Sequence, residues 1–351
     1  MIIVQIRDQQ FNRWESAEIS LGLDRAASSF SLSVSNSYAE NDSDLPIAPG
    51  DSCELFVGDA LITQGYIDSI NRSGSGTSRS VRIAGRSKAQ DIIDCSAVGS
   101  EYKGYDVAQI ARALAKPYGV SVNSTNYHSL IIDDVTINPG ETAFTVIDRV
   151  ARAQGYIVFA DWNGGITIAK AGDERYSSAL VEGENILDSS FNNDVTQRFS
   201  DYALVAQQDS TGIDFKAIGD GSNPLNTGSN AKDRGVGRFR NLTVVADSTL
   251  TDEMAKAKLD WDARRRAGLA HKLLVTVQGH LAPDGRPWRL NTSIQVVIAS
   301  SYINKPHLIA GIKFLLDESE GTKTELTLSN KQVWTPDPAA AAEDDADIFG
   351  L

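Results

Sequence analysis

The sequence predicts an α+β, β-rich chain of two similar small β-barrels with inserted or appended α/β modules. Three observations carry that expectation: period-two alternation at both ends of the chain, helical periodicity confined to a middle stretch and one late segment, and late alternating runs that repeat the pattern of the early ones. At 351 residues the chain has room for roughly two to four modules of ordinary size.

The first barrel is expected over 1–90, from alternating runs at 2–6, 16–23, 30–35, 52–57, 61–70 and 80–83. Gly58-Asp59 separates two of these runs, and 73–78, rich in Ser and Gly, reads as a flexible loop between two more. A small α/β module is expected over 91–180. Asp106 can cap a helix with Val107, Ile110, Ala111 and Leu114 on its apolar face, ended by Pro117 and Gly119. A second helix should begin near Thr142 with Phe144, Ile147 and Val150 inward, and stop at Gly155. Residues 156–159 and 166–169 then form a hairpin across Asp161-Trp162-Asn163-Gly164-Gly165, where Asn-Gly favours a tight turn.

The second barrel is expected from 181–210 and 269–335, around a loop-plus-helix insertion at 211–268. Its strands are read at 201–207, 271–278, 293–299, 307–315 and 324–328; the polar stretch 219–237 reads as a loop. The inserted helix should start near Thr251 with Met254, Ala257 and Trp261 on one face, and end with Arg264-Arg265-Arg266 before Gly268. Residues 336–351 read as an exposed acidic tail.

The late β region matches the early one in detail. Residues 52–57 resemble 293–298, 63–67 answer to 309–313, and Gly76-Thr77 ahead of Val81 and Ile83 answers to Gly321-Thr322 ahead of Leu326 and Leu328. A subunit with two equivalent barrels can form a trimer whose ring is nearly sixfold, a physical means of joining threefold and sixfold partners.

Composition excludes several classes. With 41% hydrophobic and 23% charged residues the chain should fold and should not insert into a membrane, its longest apolar stretches, such as 294–299, being far too short to cross one. Residues 1–7 lack a basic region followed by a long apolar run, so no secretory signal is expected. A net charge of −13, from 33 basic and 46 acidic residues, disfavours a DNA-clasping surface; DNA that meets the protein should pass without specific binding. Cys53 and Cys95 are expected as two buried thiols without a disulfide.

Catalytic signatures are missing. His128, His271, His280 and His307 lack the close pairing of a zinc site, and no Cys-x-x-Cys accompanies them. Asp133-Asp134 and Asp344-Asp345 are adjacent carboxylates, which as strand neighbours would point to opposite faces and could not converge on one bond. There is no Gly-x-Ser-x-Gly elbow and no phosphate-cradling Gly-x-x-x-x-Gly-Lys-Ser/Thr loop; Gly219-Asp220-Gly221-Ser222 reads as a turn. Arg264-Arg265-Arg266 offsets a helix dipole more readily than it binds phosphate, and Trp261, Trp288 and Trp334 read as core or interface anchors. No catalytic, cofactor-binding or metal-binding residues, no cofactor and no enzymatic activity are expected.

Four stretches carry a family resemblance: Gly85-Arg86-Ser87-Lys88-Ala89-Gln90-Asp91-Ile92-Ile93-Asp94-Cys95-Ser96, Arg149-Val150-Ala151-Arg152-Ala153-Gln154-Gly155-Tyr156, Arg198-Phe199-Ser200-Asp201-Tyr202 and Gly285-Arg286-Pro287-Trp288-Arg289-Leu290-Asn291. In their order and spacing the chain resembles the baseplate hub proteins of contractile phage tails, in particular the Mu-like phage and prophage tail proteins of that role. The resemblance implies a homotrimeric torus of two barrels per subunit, placed in the virion baseplate between tail tube and central spike, with DNA crossing its channel, and assembled in the bacterial host cytoplasm. The architecture leaves other readings open. A host-glycan-binding tail adhesin, a cell-wall hydrolase of the tail and the hub portion of a contractile secretion spike could each use β-rich modules of this kind.

Overall fold

The computed structural model describes residues 2–6, 9–34, 47–74, 79–125, 127–128, 130–172, 174–206, 230–246 and 252–337. Gly76-Thr77, Gly219 to Ser222, Asp344-Asp345 and the acidic stretch from 338 onward lie outside the described residues. The chain forms two compact units, one of Met1–Ala151, Ile157–Phe191 and Leu273–Ser329, the other of Arg152–Tyr156, Asn192–Lys272 and Asn330–Leu351. Among the described residues no helix is long and apolar enough to cross a membrane.

The first unit is built on a 13-stranded sheet. Its early strands are β1 (Ile2–Ile6), β2 (Gln9–Phe11), β3 (Ser16–Gly22), β4 (Ser29–Val34), β5 (Ser52–Val57), β6 (Ala60–Gly74) and β7 (Arg79–Ser87). A short helix α1 (Gln90–Asp94) leads into the α/β module: β8 (Glu101–Asp106), α2 (Val107–Ala115), β9 (Val122–Ser124), β10 (Ile131–Thr136), α3 (Ala143–Ala153), β11 (Ile157–Ala160) and β12 (Ile166–Ala169). The chain then runs through β13 (Glu174–Val181), β14 (Ile186–Asn193), β15 (Asp201–Ala206), β16 (Asn230–Lys232), β17 (Asn241–Ala246), α4 (Asp252–Leu269), β18 (His271–Gln278), β19 (Thr292–Ile298), β20 (Ile303–Asp317) and β21 (Gly321–Ser329).

Strand alternation is visible in burial. Ile2, Val4 and Ile6 of β1 and Ile294, Val296 and Ile298 of β19 are buried, and both sets enter one apolar core with Ile19, Leu32, Leu55, Ile83, Phe314 and Leu326. The β-rich α+β class therefore holds. The ladders make one open sheet, in the order β14-β18-β21-β20-β3-β4-β7-β6-β5-β1-β2, with β13 and β19 branching from β20.

The internal repeat is real and deeper than the sequence match. Strands β3-β4-β7-β6-β5-β1 and β14-β18-β21-β20-β19-β13 are neighbours in the same spatial order and come in the same chain order. The departure is β13, which runs parallel to β19 where β1 runs antiparallel to β5. At the centre of each copy is a 15-residue strand that changes partners midway: β6 passes from β5 to β7, and β20 from β19 to β21. The register shifts between Ile67 and Ser69 in one and between Ile309 and Gly311 in the other. These bulges set the equivalence, so Ile67 answers to Ile309 and not, as the sequence alignment has it, to Lys313.

In the α/β module Asp106 caps α2 through a reciprocal pair, its carboxylate accepting from the Gln109 backbone N–H at 2.8 Å and its own N–H donating to Gln109 Oε1 at 2.9 Å. Val107, Ile110, Ala111 and Leu114 are buried as expected. On α3 the inward residues are Val146, Ile147 and Val150, with Phe144 half-buried. The hairpin β11–β12 pairs Ile157 with Ala169 and Ala160 with Ile166, and β9 joins β12 in parallel.

In the second unit β15 pairs in parallel with β17 and antiparallel with β16, a strand inside the stretch 219–237 expected as a loop. Helix α4 covers this sheet with Ala255, Leu259 and Ala263, packed with Tyr202 and Leu204. The expected face of Met254, Ala257 and Trp261 is half-buried instead, because two alanines at i and i+8 let the helix sit closer to the sheet than a tryptophan would. Trp261 serves the C-terminal segment, its Nε1 donating to the Thr335 carbonyl at 2.6 Å. The helix also continues through Gly268 to Leu269: Val333 Cγ2 lies 2.5 Å from where a Cβ would stand, so the glycine admits a neighbour and does not end the helix.

Both cysteines are free, but the expectation of two buried thiols holds for Cys53 alone. Burial pushes the Cys53 thiol up to about 12. Cys95 follows α1 in extended conformation, which turns it from the face that buries Gln90 and Ile92, and it is exposed. In native protein at pH 8 a thiol reagent should modify Cys95 within minutes and Cys53 after denaturation; equal rates at the two sites would contradict this placement.

Candidate functional site

The groups singled out in the sequence are dispersed. His280 is buried with Nε2 2.8 Å from the Leu315 carbonyl, and burial lowers its pKa; buried His307 has Nδ1 3.1 Å from the Lys305 carbonyl. His128 is exposed and His271 half-buried. Among the described residues no group of three or more His, Cys, Asp or Glu could hold a metal ion. Asp134 lies opposite Lys103 in the β8–β10 ladder, and Asp133, its strand neighbour, points to the other face. The arginine triplet is engaged within its own unit: Arg264 Nε donates to the Asp260 carbonyl, Arg265 lies over the Trp261 ring, and Arg266 pairs with Asp262 at 3.0 Å.

The four stretches that carry the resemblance are joints of the fold. In the first, Arg86 of β7 binds Asp68 at the β6 bulge and Asp94 at the end of α1, each at 2.8 Å. Gly85 beside it is required by close approach, since a Cβ would stand 2.2 Å from the Tyr66 carbonyl oxygen. In the second, Arg149 of α3 donates to the Thr136 carbonyl at 3.1 Å and reaches Glu141 at 3.4 Å. In the third, within the second unit, Arg198 grips Asp233 with two hydrogen bonds of 2.8 and 2.9 Å.

The fourth, 285–291, is the loop between β18 and β19 and fastens the α/β module's exit to the sheet. Asn291 is buried at φ 60°; its Oδ1 accepts from the Gly172 N–H at 2.8 Å, and its Nδ2 donates to the Lys170 carbonyl at 2.9 Å. Its own N–H donates to the Ile309 carbonyl at 3.1 Å, beside the β20 bulge. Tyr176 Oη accepts from the Arg289 N–H at 2.8 Å and donates to the Pro287 carbonyl at 2.9 Å, with Trp288 edge-on to its ring.

This loop and the tip of the β11–β12 hairpin enclose a cavity of about 600 Å³, lined among others by Asn123, Thr125, Asp161, Trp162, Trp288 and Arg289. Asp161 is buried and accepts from the Trp162 N–H at 2.7 Å and from the Asn123 amide. Burial raises its pKa, opposed by these hydrogen bonds and by the charge of Arg289. The Arg289 guanidinium lies over the Trp162 ring, 5.5 Å from its centroid.

Two outcomes follow. Asn291→Ala should cost about 3 kcal/mol in urea unfolding, from two lost hydrogen bonds and a left-handed backbone, and Asn291→Gly should recover part of it; equal losses would remove the backbone component. The Asp233 pKa is lowered by the Arg198 hydrogen bonds, so its contribution is complete above the ordinary Asp value, about 3.9, and is lost as pH falls through the depressed value. The stability gap between wild type and Asp233→Asn should therefore shrink in acid; a gap independent of pH would refute the ion pair.

Three family models match the chain in sequence. Residues 1–87 match the Mu phage baseplate assembly protein GpP-like N-terminal domain, 89–170 the baseplate hub protein gp44-like second domain, and 251–337 the Mu phage GpP fourth domain. Baseplate hub protein gp44 of Escherichia phage Mu is 30% identical over 329 residues, covering 92% of this chain and 86% of gp44. The 43 kDa tail protein of prophage MuSo2 from Shewanella oneidensis superposes with a TM-score of 0.82 at 23% identity, over 96% of this chain and 99% of that one. A tail protein from Neisseria meningitidis MC58 gives 0.76 at 25% identity, over 96% and 98%. Because the likeness to gp44 runs through both copies of the repeat and the module between them, the chain belongs to the Mu gp44 family of phage baseplate hub proteins.

Proposed function

We propose that this baseplate hub works as a homotrimeric ring that joins the tail tube to the central spike of a contractile tail and lets DNA through. The duplicated six-strand arrangement carries the reading. Three subunits with two equivalent lobes each present six nearly identical positions around one axis, which a sixfold tube can engage from one side and a threefold spike from the other. The lobes are the two copies of that arrangement, close to the small barrels read at 1–90 and at 181–210 with 269–335, except that β13 precedes the second range and β15 pairs in the sheet of the second unit. The role is structural, without a catalytic step. A net charge of −13 suits a channel that DNA crosses without specific binding. On this reading the subunits assemble in the host cytoplasm and end in the virion baseplate, against spike and tube or adjacent baseplate proteins.

Light scattering on the purified protein should give three times the 37.8 kDa subunit mass, and averaged electron micrographs should show a ring with a central hole and six similar lobes. A monomer that persists across a wide concentration range, without rings, would reject the proposal.

A further inference from the structure

The two copies of the repeat meet at one joint, and both counterparts of that joint are open. One edge of β20 is shared: its first half, Ile303 to Leu308, pairs with β19, and its second half, Gly311 to Asp317, pairs with β3. The equivalent strand β6 pairs with β5 through 60–66 on the matching edge and with β7 on the other. Among the described residues no strand follows β5 along 69–74. The other partner shows the same difference. β3 lies between β4 and β20, whereas its equivalent β14 pairs with β18 and ends the sheet.

Burial divides in the same way. Beyond the bulge of β20, Ile312 and Phe314 are buried, but every residue from Asn71 to Gly74 of β6 is exposed. Ala17, Ile19 and Leu21 of β3 are buried, whereas on β14 Leu187 is 52% and Phe191 37% exposed. An edge strand of eight residues that contains neither lysine nor proline is a ready partner for another strand. The charges also suit a pairing of the two: β14 contains a single charged residue, Asp188, and 69–74 contains a single one of opposite sign, Arg72, so no like charges meet.

We propose that β14 of one subunit lies antiparallel along residues 69–74 of β6 in the next, repeating between subunits the β3–β20 joint that the fold makes within one. The occupant of each edge is a second copy of this chain because one chain carries both halves of the joint and holds them apart, with β7, β4, β3, β20, β21 and β18 standing between β6 and β14 in the sheet. The contact is head-to-tail, so it generates a ring when the rotation closes. Three subunits then give six similar joints, alternately within and between chains. The inference rests on the trimeric ring proposed above and adds which strands make it.

The full-length protein carrying p-benzoylphenylalanine in place of Leu187 tests it. Irradiation should give a product of twice the subunit mass on a denaturing gel, and peptide mapping should place the cross-link at 69–74. In hydrogen exchange, 69–74 and 186–193 should both be protected in the assembled protein and both be released in Leu187→Lys, which puts a charge on the edge. That variant should need a protein concentration about tenfold higher to assemble, while the β3 and β20 amides stay protected and report an intact fold. A trimer whose cross-link maps elsewhere, whose 69–74 amides exchange freely, or whose assembly is indifferent to Leu187→Lys overturns this joint and leaves the ring standing. A chain that remains monomeric at every concentration overturns both.

Discussion

The ladder between β3 and β20 holds the large sheet together. Seven residue pairs, from Gly22 with Gly311 to Ser16 with Asp317, join the early strands to the late ones across nearly the whole chain. Ile19 and Phe314, partners in that ladder, are both fully buried, so the apolar core cannot close until the two ends of the sequence meet. Pairing at such separation offsets a large closure entropy with ladder hydrogen bonds and core burial formed together. It also explains why β20 is long: one half completes its own meander, and the other lies between β21 and β3.

Much of this was legible in the sequence, and the failures have local causes. Strands with strict alternation, such as β1, β5 and β19, fall where period two places them, and the Asp106 cap locates α2 to the residue. The repeat was visible as matching runs, but the alignment followed Gly65 and Gly311. The bulges, at Ile67/Ser69 and Ile309/Gly311, break period two inside a continuous strand, and nothing in side-chain pattern marks the residue that a ladder skips. The face of α4 was misread because apolar residues occur at 254, 255, 257, 259, 261 and 263, enough to draw more than one stripe. The structure buries the one whose alanines permit close approach.

The site was legible as a motif and not as chemistry. Gly285 to Asn291 stood out through family likeness, yet the stretch contains no nucleophile, metal ligand or acid–base pair to suggest a role. Its meaning depends on what lies opposite: Lys170, Gly172 and Tyr176 for the fastening loop, Asp161 and Trp162 for the cavity. Those partners are far away in sequence, and the side-chain pattern along one strand or loop carries no mark of a pairing at such separation. The same holds for Arg86, whose two aspartates lie on different elements.

In the first copy of the repeat, β3 passes to β4 through the short turn after Gly22. At the corresponding point the second copy leaves the sheet after β14, makes the whole of the second unit's sheet and α4, and returns as β18, the strand beside β14. The departing and returning chains are tied by the Asp194 N–H donating to the Ala270 carbonyl at 2.8 Å. A detour whose two ends are clasped in this way behaves as a cartridge. Its contents can be lengthened, shortened or replaced over generations without shifting a single register in the sheet, which lets a lineage of phages revise one unit of its hub while the other keeps its geometry.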